Sequence, residues 1–208
     1  MADRTIVVVT AGLTEPSSTR LLADRLAAAT ERHLVTGGVT PNLEVIELRD
    51  RAQDLVNHLL TGFPSPALRA TLDRVLAADG VIAVSPIFNA SYSGLFKLFF
   101  DVLERGSLSG VPVLIGATGG TVRHSLALDH AFRPLFVYLG ASVGSTAVFA
   151  ASEDWGAGGT GDAFGGMLAD RIDRAAAELA MAVAARQPRT VTDPFADPVP
   201  FEELLRGG

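Results

Sequence analysis

The chain contains no cysteine. Disulfide frameworks, thiol nucleophiles and cysteine-ligated zinc are excluded together, and the composition suits a reducing cytoplasm. Lysine is nearly absent as well: Lys97 stands alone, and arginine supplies the rest of the positive charge. The 17 basic residues are outweighed by 23 acidic ones, a net of −6. That balance argues against a nucleic-acid partner and against an anionic membrane, since both need a basic face. No apolar run approaches the ~18 residues of a spanning helix. The first ten residues lack a cleavage pattern and read as a strand instead of a signal peptide. The histidines, at 33, 58, 124 and 130, have no metal-ligand spacing.

What remains is a 208-residue chain that is 48% apolar and 19% charged. It is long enough to bury a core without staples and too apolar to stay disordered. One domain is expected over 1–186. The tail 187–208 holds four prolines and several acids, and is expected to pack as an extended strap or stay loose.

Five β-rich runs recur: Thr5–Thr10, Leu43–Leu48, Gly80–Ser85, Val111–Gly116 and Val143–Phe149. The first, third and fourth lack polar alternation, the mark of parallel strands covered on both faces. Helical periodicity fills Ser18–Leu34, Pro66–Ala78, Ser93–Leu103, His124–Leu139 and Ala163–Ala185. The alternation predicts an α/β doubly wound parallel sheet with right-handed crossovers. Five strands without a Gly-x-Gly-x-x-Gly turn after the first favour the flavodoxin-like order 2-1-3-4-5. Strands one and three are then neighbours whose crossovers diverge, opening a crevice at their carboxyl ends.

Three loops face that crevice. Ala11–Arg20 offers Gly12 for a sharp turn, then Ser17, Ser18 and Thr19 at a helix start, where free N–H groups and the dipole favour an anion. An ordinary N-cap at Ser17 or Ser18 accounts for the same residues. Ser85–Lys97 carries Pro86, expected to stop the strand, and Asn89, which tolerates left-handed geometry. Gly116–His124 carries Gly119 and Gly120, which let backbone approach a ligand, ahead of a helix expected to start near His124. A capped turn and a flexible connection are the plainer readings of these two loops. The helix 93–103 is apolar nearly all round and needs cover on two sides. A partner subunit or the C-terminal strap would supply the second.

The pattern Ser85-Pro-x-Phe-Asn-x-Ser-x-x-Gly-Leu-x-Lys97, followed by Ala117-Thr-Gly-Gly120, resembles the NADPH-dependent FMN reductases, which are flavodoxin-like. The opening Ala11-Gly-x-x-x-Pro-Ser-Ser most resembles the branch serving luciferase-like two-component monooxygenases. The resemblance covers about residues 4–185. It implies an FMN phosphate on Ser17, Ser18, Thr19 and Arg20, in a loop that includes Gly12 and Leu13. It implies the flavin ring against Pro86, Ile87, Phe88, Asn89, Ala90 and Ser91, with its pyrimidine end toward Thr118, Gly119 and Gly120. Arg123 is the candidate for a phosphate of NADPH or for the reduced flavin, with a solvent-facing arginine as the plainer reading. Two departures stand out: Leu13 and Glu15 replace a Ser-x-Arg common in the family, and Phe88 replaces its tyrosine.

The resemblance further implies hydride transfer from NADPH or NADH to FMN without a side-chain acid or base, a homodimer or homotetramer, and a flavin-dependent monooxygenase as recipient. The expected helix dipole near His124 would favour reduced flavin by ~1 kcal/mol. A quinone or azo reductase and a non-catalytic FMN electron carrier are the alternatives. Gly140–Gly144 matches the Gly-x-Ser-x-Gly hydrolase pattern, but with a helix before Ser142 and a strand after it, the reverse of a nucleophile elbow. Gly156–Gly161 matches Gly-x-Gly-x-x-Gly without the βαβ context that motif needs, and suggests a lid. Trp155 is weighed as a ligand-stacking ring against a packed indole.

Overall fold

A computed structural model describes residues 3–155 and 163–189. Its strands are β1 (Asp3–Thr10), β2 (Thr40–Glu47), β3 (Gly80–Phe88), β4 (Ser91–Tyr92), β5 (Pro112–Gly119), β6 (Ser142–Val143) and β7 (Val148–Ala151). Its helices are α1 (Ser18–Thr36), α2 (Ala52–Thr61), α3 (Pro66–Ala77), α4 (Gly94–Asp101), α5 (Arg133–Tyr138) and α6 (Ala163–Ala184). The sheet runs β2-β1-β3-β5-β6, with β7 also on β5 and all of these pairings parallel. This is the expected doubly wound flavodoxin-like order, drawn with seven strands instead of five.

Alternation along each strand divides the apolar residues between two cores. Val7 and Val9 pack with α2–α5 on one face, while Ile6 and Val8 pack with α1 and α6 on the other. The continuous apolar runs are therefore what two covered faces require. On the first face Phe96, Phe99, Phe100, Phe132 and Phe136 are buried as one aromatic cluster.

Four expectations are corrected. The fifth strand is two pieces: Pro112 pairs with Ser142 but Gly116 with Val148, so two extra residues enter between them. Pro86 does not stop β3, which runs on to Phe88. Pairing with β1 already ends at Val84, so the missing N–H breaks no ladder on that side. A helix not anticipated, α2, carries Ala52, Leu55, Val56 and Leu59 at helical spacing but buries only Leu55. And no helix starts at His124. A single 3-10 turn covers Val122–His124, a π turn covers Leu128–Phe132, and regular α-helix begins at Arg133. Pro134 lacks the N–H that would close a 130–134 bond, and Arg133 N reaches back to Leu128 O instead.

The broken last strand is fastened by Glu178 of α6. Its carboxylate accepts from Ser145 Oγ and Thr146 N, both at 2.9 Å, and from Thr146 Oγ1. Burial alone would raise its pKa, but the bonds from Thr146 and Ser145 outweigh burial and hold it below its ordinary 4.5. A lowered folded-state pKa contributes stability that is present above the unfolded value and lost as pH falls through the folded one. Glu178→Gln should therefore lower the melting temperature at neutral pH. The gap to the parent should close as pH drops below 4.5, as thermal melts across that range would show.

Among the described residues, no helix is long and apolar enough to cross a membrane.

Candidate functional site

The three loops meet at the carboxyl ends of β1 and β3, around a cleft of about 760 Å³. Its wall is formed by Ser17 and Ser18 at the start of α1, by Pro86, Ile87 and Phe88 of β3, and by Thr118, Gly119 and Gly120.

The first loop is shaped by a close approach. A Cβ on Gly12 would lie 2.1 Å from Ser17 Oγ, so only glycine lets Ser17 fold back over the turn. Ser17 is the N-cap of α1, and its Oγ accepts from Arg20 N at 3.2 Å. Its hydroxyl hydrogen stays free to donate. Thr19 is buried, and its hydroxyl pairs with Thr118 Oγ1 at 2.8 Å, tying the first turn of α1 to the end of β5. It joins the loops without lining the cleft. Leu13 is half exposed outside the wall.

Arg20 turns aside. Its guanidinium holds Asp24 at 2.7 Å and also Glu47. The bond to Asp24, then the charge of Glu47, keeps it above its usual pKa range and committed to those carboxylates. Glu15 is drawn off by Arg49, which also holds Glu47 at 3.0 Å. The first turn of the 19-residue α1 carries no acid, and apart from Arg20 N, which Ser17 Oγ caps, its N–H groups and dipole are free for an anion.

The second loop is a tight hairpin. Ile87 pairs with Tyr92 and Phe88 with Ser91, and Asn89 and Ala90 form the turn at φ 49° and 67°. Both positive angles suit a type I′ turn, whose twist matches the flanking strands. Asn89 thus adopts the left-handed geometry expected of it. Asn89, Ala90 and Ser91 form the far side of the hairpin, outside the cleft wall. Ser85 Oγ accepts from Ser93 N at 2.9 Å, and Ser93 Oγ caps α4 by accepting from Phe96 N at 3.2 Å. The loop and helix are fixed together.

The two glycines of the third loop have different reasons. A Cβ on Gly119 would meet Phe149 Cζ at 2.9 Å, so packing against β7 demands glycine there. A Cβ on Gly120 would meet nothing within 4 Å, and its backbone is open to the cleft. Arg123 is exposed and lies outside the wall.

The structure adds Thr14, Pro16, Leu21, Ser152 and Trp155 to the wall. Pro16 belongs to the opening motif and was visible in it. Leu21 and Ser152 were not, because their place depends on which face of α1 is buried and where β7 ends. Trp155 is half buried beside the cleft, with the Arg25 guanidinium 5.0 Å from its ring. The glycine repeat 156–161 lies outside the described residues. Ser142 sits exposed on β6, after α5 and without a following helix, so the hydrolase context fails.

The wall suits a flat, phosphorylated heteroaromatic ligand. It offers hydroxyls and amides at a helix start, an apolar edge, and open glycine backbone. None of the described lining residues is charged. At the crevice end of β1, Thr10 Oγ1 is buried without a protein partner, one more polar atom available at this end of the sheet.

Strand order and cleft position together define a flavodoxin-like protein with a cleft at the topological switch point. Sequence comparison narrows the class. The profile of the family described as NADPH-dependent FMN reductase matches residues 4–156. FMN reductase (NADPH) from Pseudomonas aeruginosa is 37% identical over 150 residues, 72% of this chain and 78% of that protein. NADH-dependent FMN reductase SfnF from Pseudomonas putida is 37% identical over 135 residues, 64% of this chain and 69% of that one. An X-ray structure of an oxidoreductase from Corynebacterium diphtheriae superposes with a TM-score of 0.85 at 40% identity, covering 90% of this chain and 100% of that one. The chain belongs to the NADPH-dependent FMN reductase family, and so is an oxidoreductase of flavin and nicotinamide nucleotides.

Proposed function

We propose that the cleft takes FMN with its phosphate at the α1 N-terminus, accepts hydride from NADPH or NADH, and releases reduced FMN to a separate monooxygenase. The observation that carries this is the convergence of Ser17 and Ser18, the Pro86–Phe88 edge, and Thr118–Gly120 on one cleft. When bound, FMN supplies the hydride acceptor at its N5. The chain's own residues position and exclude. Ser17 and Ser18 donate to the phosphate beside the free N–H groups of α1. Pro86, Ile87 and Phe88 hold one edge of the ring away from water. The Gly120 backbone faces its polar end. No side chain is asked to move a proton, so rate depends on placement.

The absence of a charged group from the described lining favours exchange of FMN, as a flavin carrier to a second enzyme requires. The same reading places the protein in the cytoplasm, where the nicotinamide nucleotides are, as a homodimer or homotetramer.

Anaerobic titration of the protein and FMN with NADPH, then NADH, tests the activity. The long-wavelength flavin band should bleach far faster than without protein, and the nucleotide that bleaches it faster is the donor. Bound FMN that neither nucleotide bleaches would make this an electron carrier instead. Gly120→Val tests the ring position. The open space at Gly120 predicts an unchanged melting temperature with FMN affinity down by about tenfold, a loss of about 1.4 kcal/mol. Native affinity would move the ring off this backbone.

A further inference from the structure

We infer that the cleft continues along α1 into a ledge for the adenosine-phosphate half of the nicotinamide nucleotide. Arg25 is the cation that takes one of its phosphates, and Leu21 and Trp155 are the apolar surface beneath it. The ledge rests on the flavin placement proposed above, because the nicotinamide ring must meet the flavin inside the cleft and the rest of the molecule must leave it.

The cleft wall runs on past the flavin loops, prolonged by Leu21, Ser152 and Trp155. Leu21 is 43% exposed on a helix whose other apolar residues are buried against the sheet. Ser18, Leu21 and Arg25 are all exposed and stand three and four residues apart, so they share one face of α1. About two helical turns put Arg25 about 10 Å beyond Ser18. A phosphate at the helix start and one at Arg25 therefore occupy separate places.

Trp155 is held from behind. It is half buried and packs against the core between α1, α6 and the sheet. The 152–155 turn that carries it is closed by Asp154, whose carboxylate accepts from Ala151 N at 2.7 Å and from Arg171 Nη2 at 3.5 Å. An indole fixed on one side and open to a cleft on the other gives a ligand apolar contact with little ordering cost.

Arg25 supplies the charge. Its guanidinium lies 5.0 Å from the Trp155 ring, and no acid lies within ion-pair distance of it among the described residues. Asp24 beside it is held by Arg20, and Asp154 by Arg171. Arg20 and Arg49, by contrast, are committed to Asp24, Glu47 and Glu15. A guanidinium resting on an aromatic ring keeps its N–H fork at the rim, where it can pair with a phosphate. A nicotinamide nucleotide brings a diphosphate, and NADPH a further phosphate on the adenosine ribose.

Trp155 is the chain's one tryptophan, so its emission reports on the ledge directly. The probe 2′,5′-ADP, which has adenosine phosphates but no nicotinamide, should change that emission saturably in protein without FMN. Arg25→Gln should weaken its Kd about tenfold, and Arg25→Lys should recover part of that loss. In steady state with FMN, Arg25→Gln should raise the KM for NADPH about tenfold, with kcat within about twofold and FMN affinity unchanged. A rise for NADPH alone assigns Arg25 to the ribose phosphate, and an equal rise for NADH assigns it to the diphosphate. No saturable change in emission, or native Kd and KM in Arg25→Gln, would overturn the ledge. So would a rise in KM that follows Arg123→Gln and spares Arg25→Gln. Protein that binds 2′,5′-ADP through Arg25 yet takes no FMN would keep the ledge and remove the flavin reading instead.

Discussion

FMN affinity is expected to fall by at least about tenfold, or about 1.4 kcal/mol, when Gly12 is replaced by alanine, while the fold survives. The added Cβ would lie 2.1 Å from Ser17 Oγ and 3.1 Å from Ser17 Cβ. No side-chain adjustment at position 12 relieves that, because a Cβ has no rotamer. Ser17 must swing away, which forfeits the cap bond to Arg20 N, worth about 1 kcal/mol. The hydroxyl then leaves the phosphate end of the cleft, and the turn from Ala11 to Ser17 shifts with it. A flavin-fluorescence titration reads the affinity and a thermal melt reads the fold. The expected pattern is a large affinity loss with a drop of a few degrees. Native FMN affinity would remove the start of α1 from the site.

The largest stability effect is expected from Phe96→Ala. Phe96 is fully buried, and its ring lies 4.8 Å from Phe100, 5.2 Å from Phe132, 5.7 Å from Tyr92 and 6.2 Å from Phe136, centroid to centroid. Deleting a buried phenylalanine costs about 3–5 kcal/mol, transfer and cavity together. A domain's whole stability is about 5–15 kcal/mol. The neighbours sit on four elements, β4, α4, α5 and the 128–132 turn, so no single side chain can swing in to refill the space. Urea unfolding should show a midpoint much reduced with an unchanged slope. A loss below about 1 kcal/mol would mean that the cluster repacks, against the close packing that buried aromatic cores show.

These two positions differ in how openly the sequence displayed them. The aromatic helix announced itself: seven apolar residues between Leu95 and Leu103 leave it apolar nearly all round, which calls for cover on two sides. Gly12 was marked by its place in a motif, but the reason for glycine was not legible, since it depends on Ser17 folding back over the turn. Gly119 and Gly120 looked alike in sequence. The structure separates them through Phe149, thirty residues further on, which presses on one and not the other. Arg20 looked like a phosphate ligand because it follows three hydroxyls. Glu47 comes from the neighbouring strand β2, and with Asp24 it takes the guanidinium away.

By itself the sequence determined the sheet, its order, and the end at which the crevice opens. Runs of β-branched residues without alternation admit only a sheet covered on both faces, and local caps and turns decide where the chain reverses. Tertiary structure alone decided what each loop residue does there. It broke the last strand around Glu178, displaced the start of α5 to Arg133 because Pro134 cannot close the preceding turn, and turned the charges of Arg20 and Glu15 away from the cleft. The division follows from range. Backbone preference and apolar periodicity act over a few residues and are written in them, whereas the direction of a charged side chain is set by partners that only folding brings near.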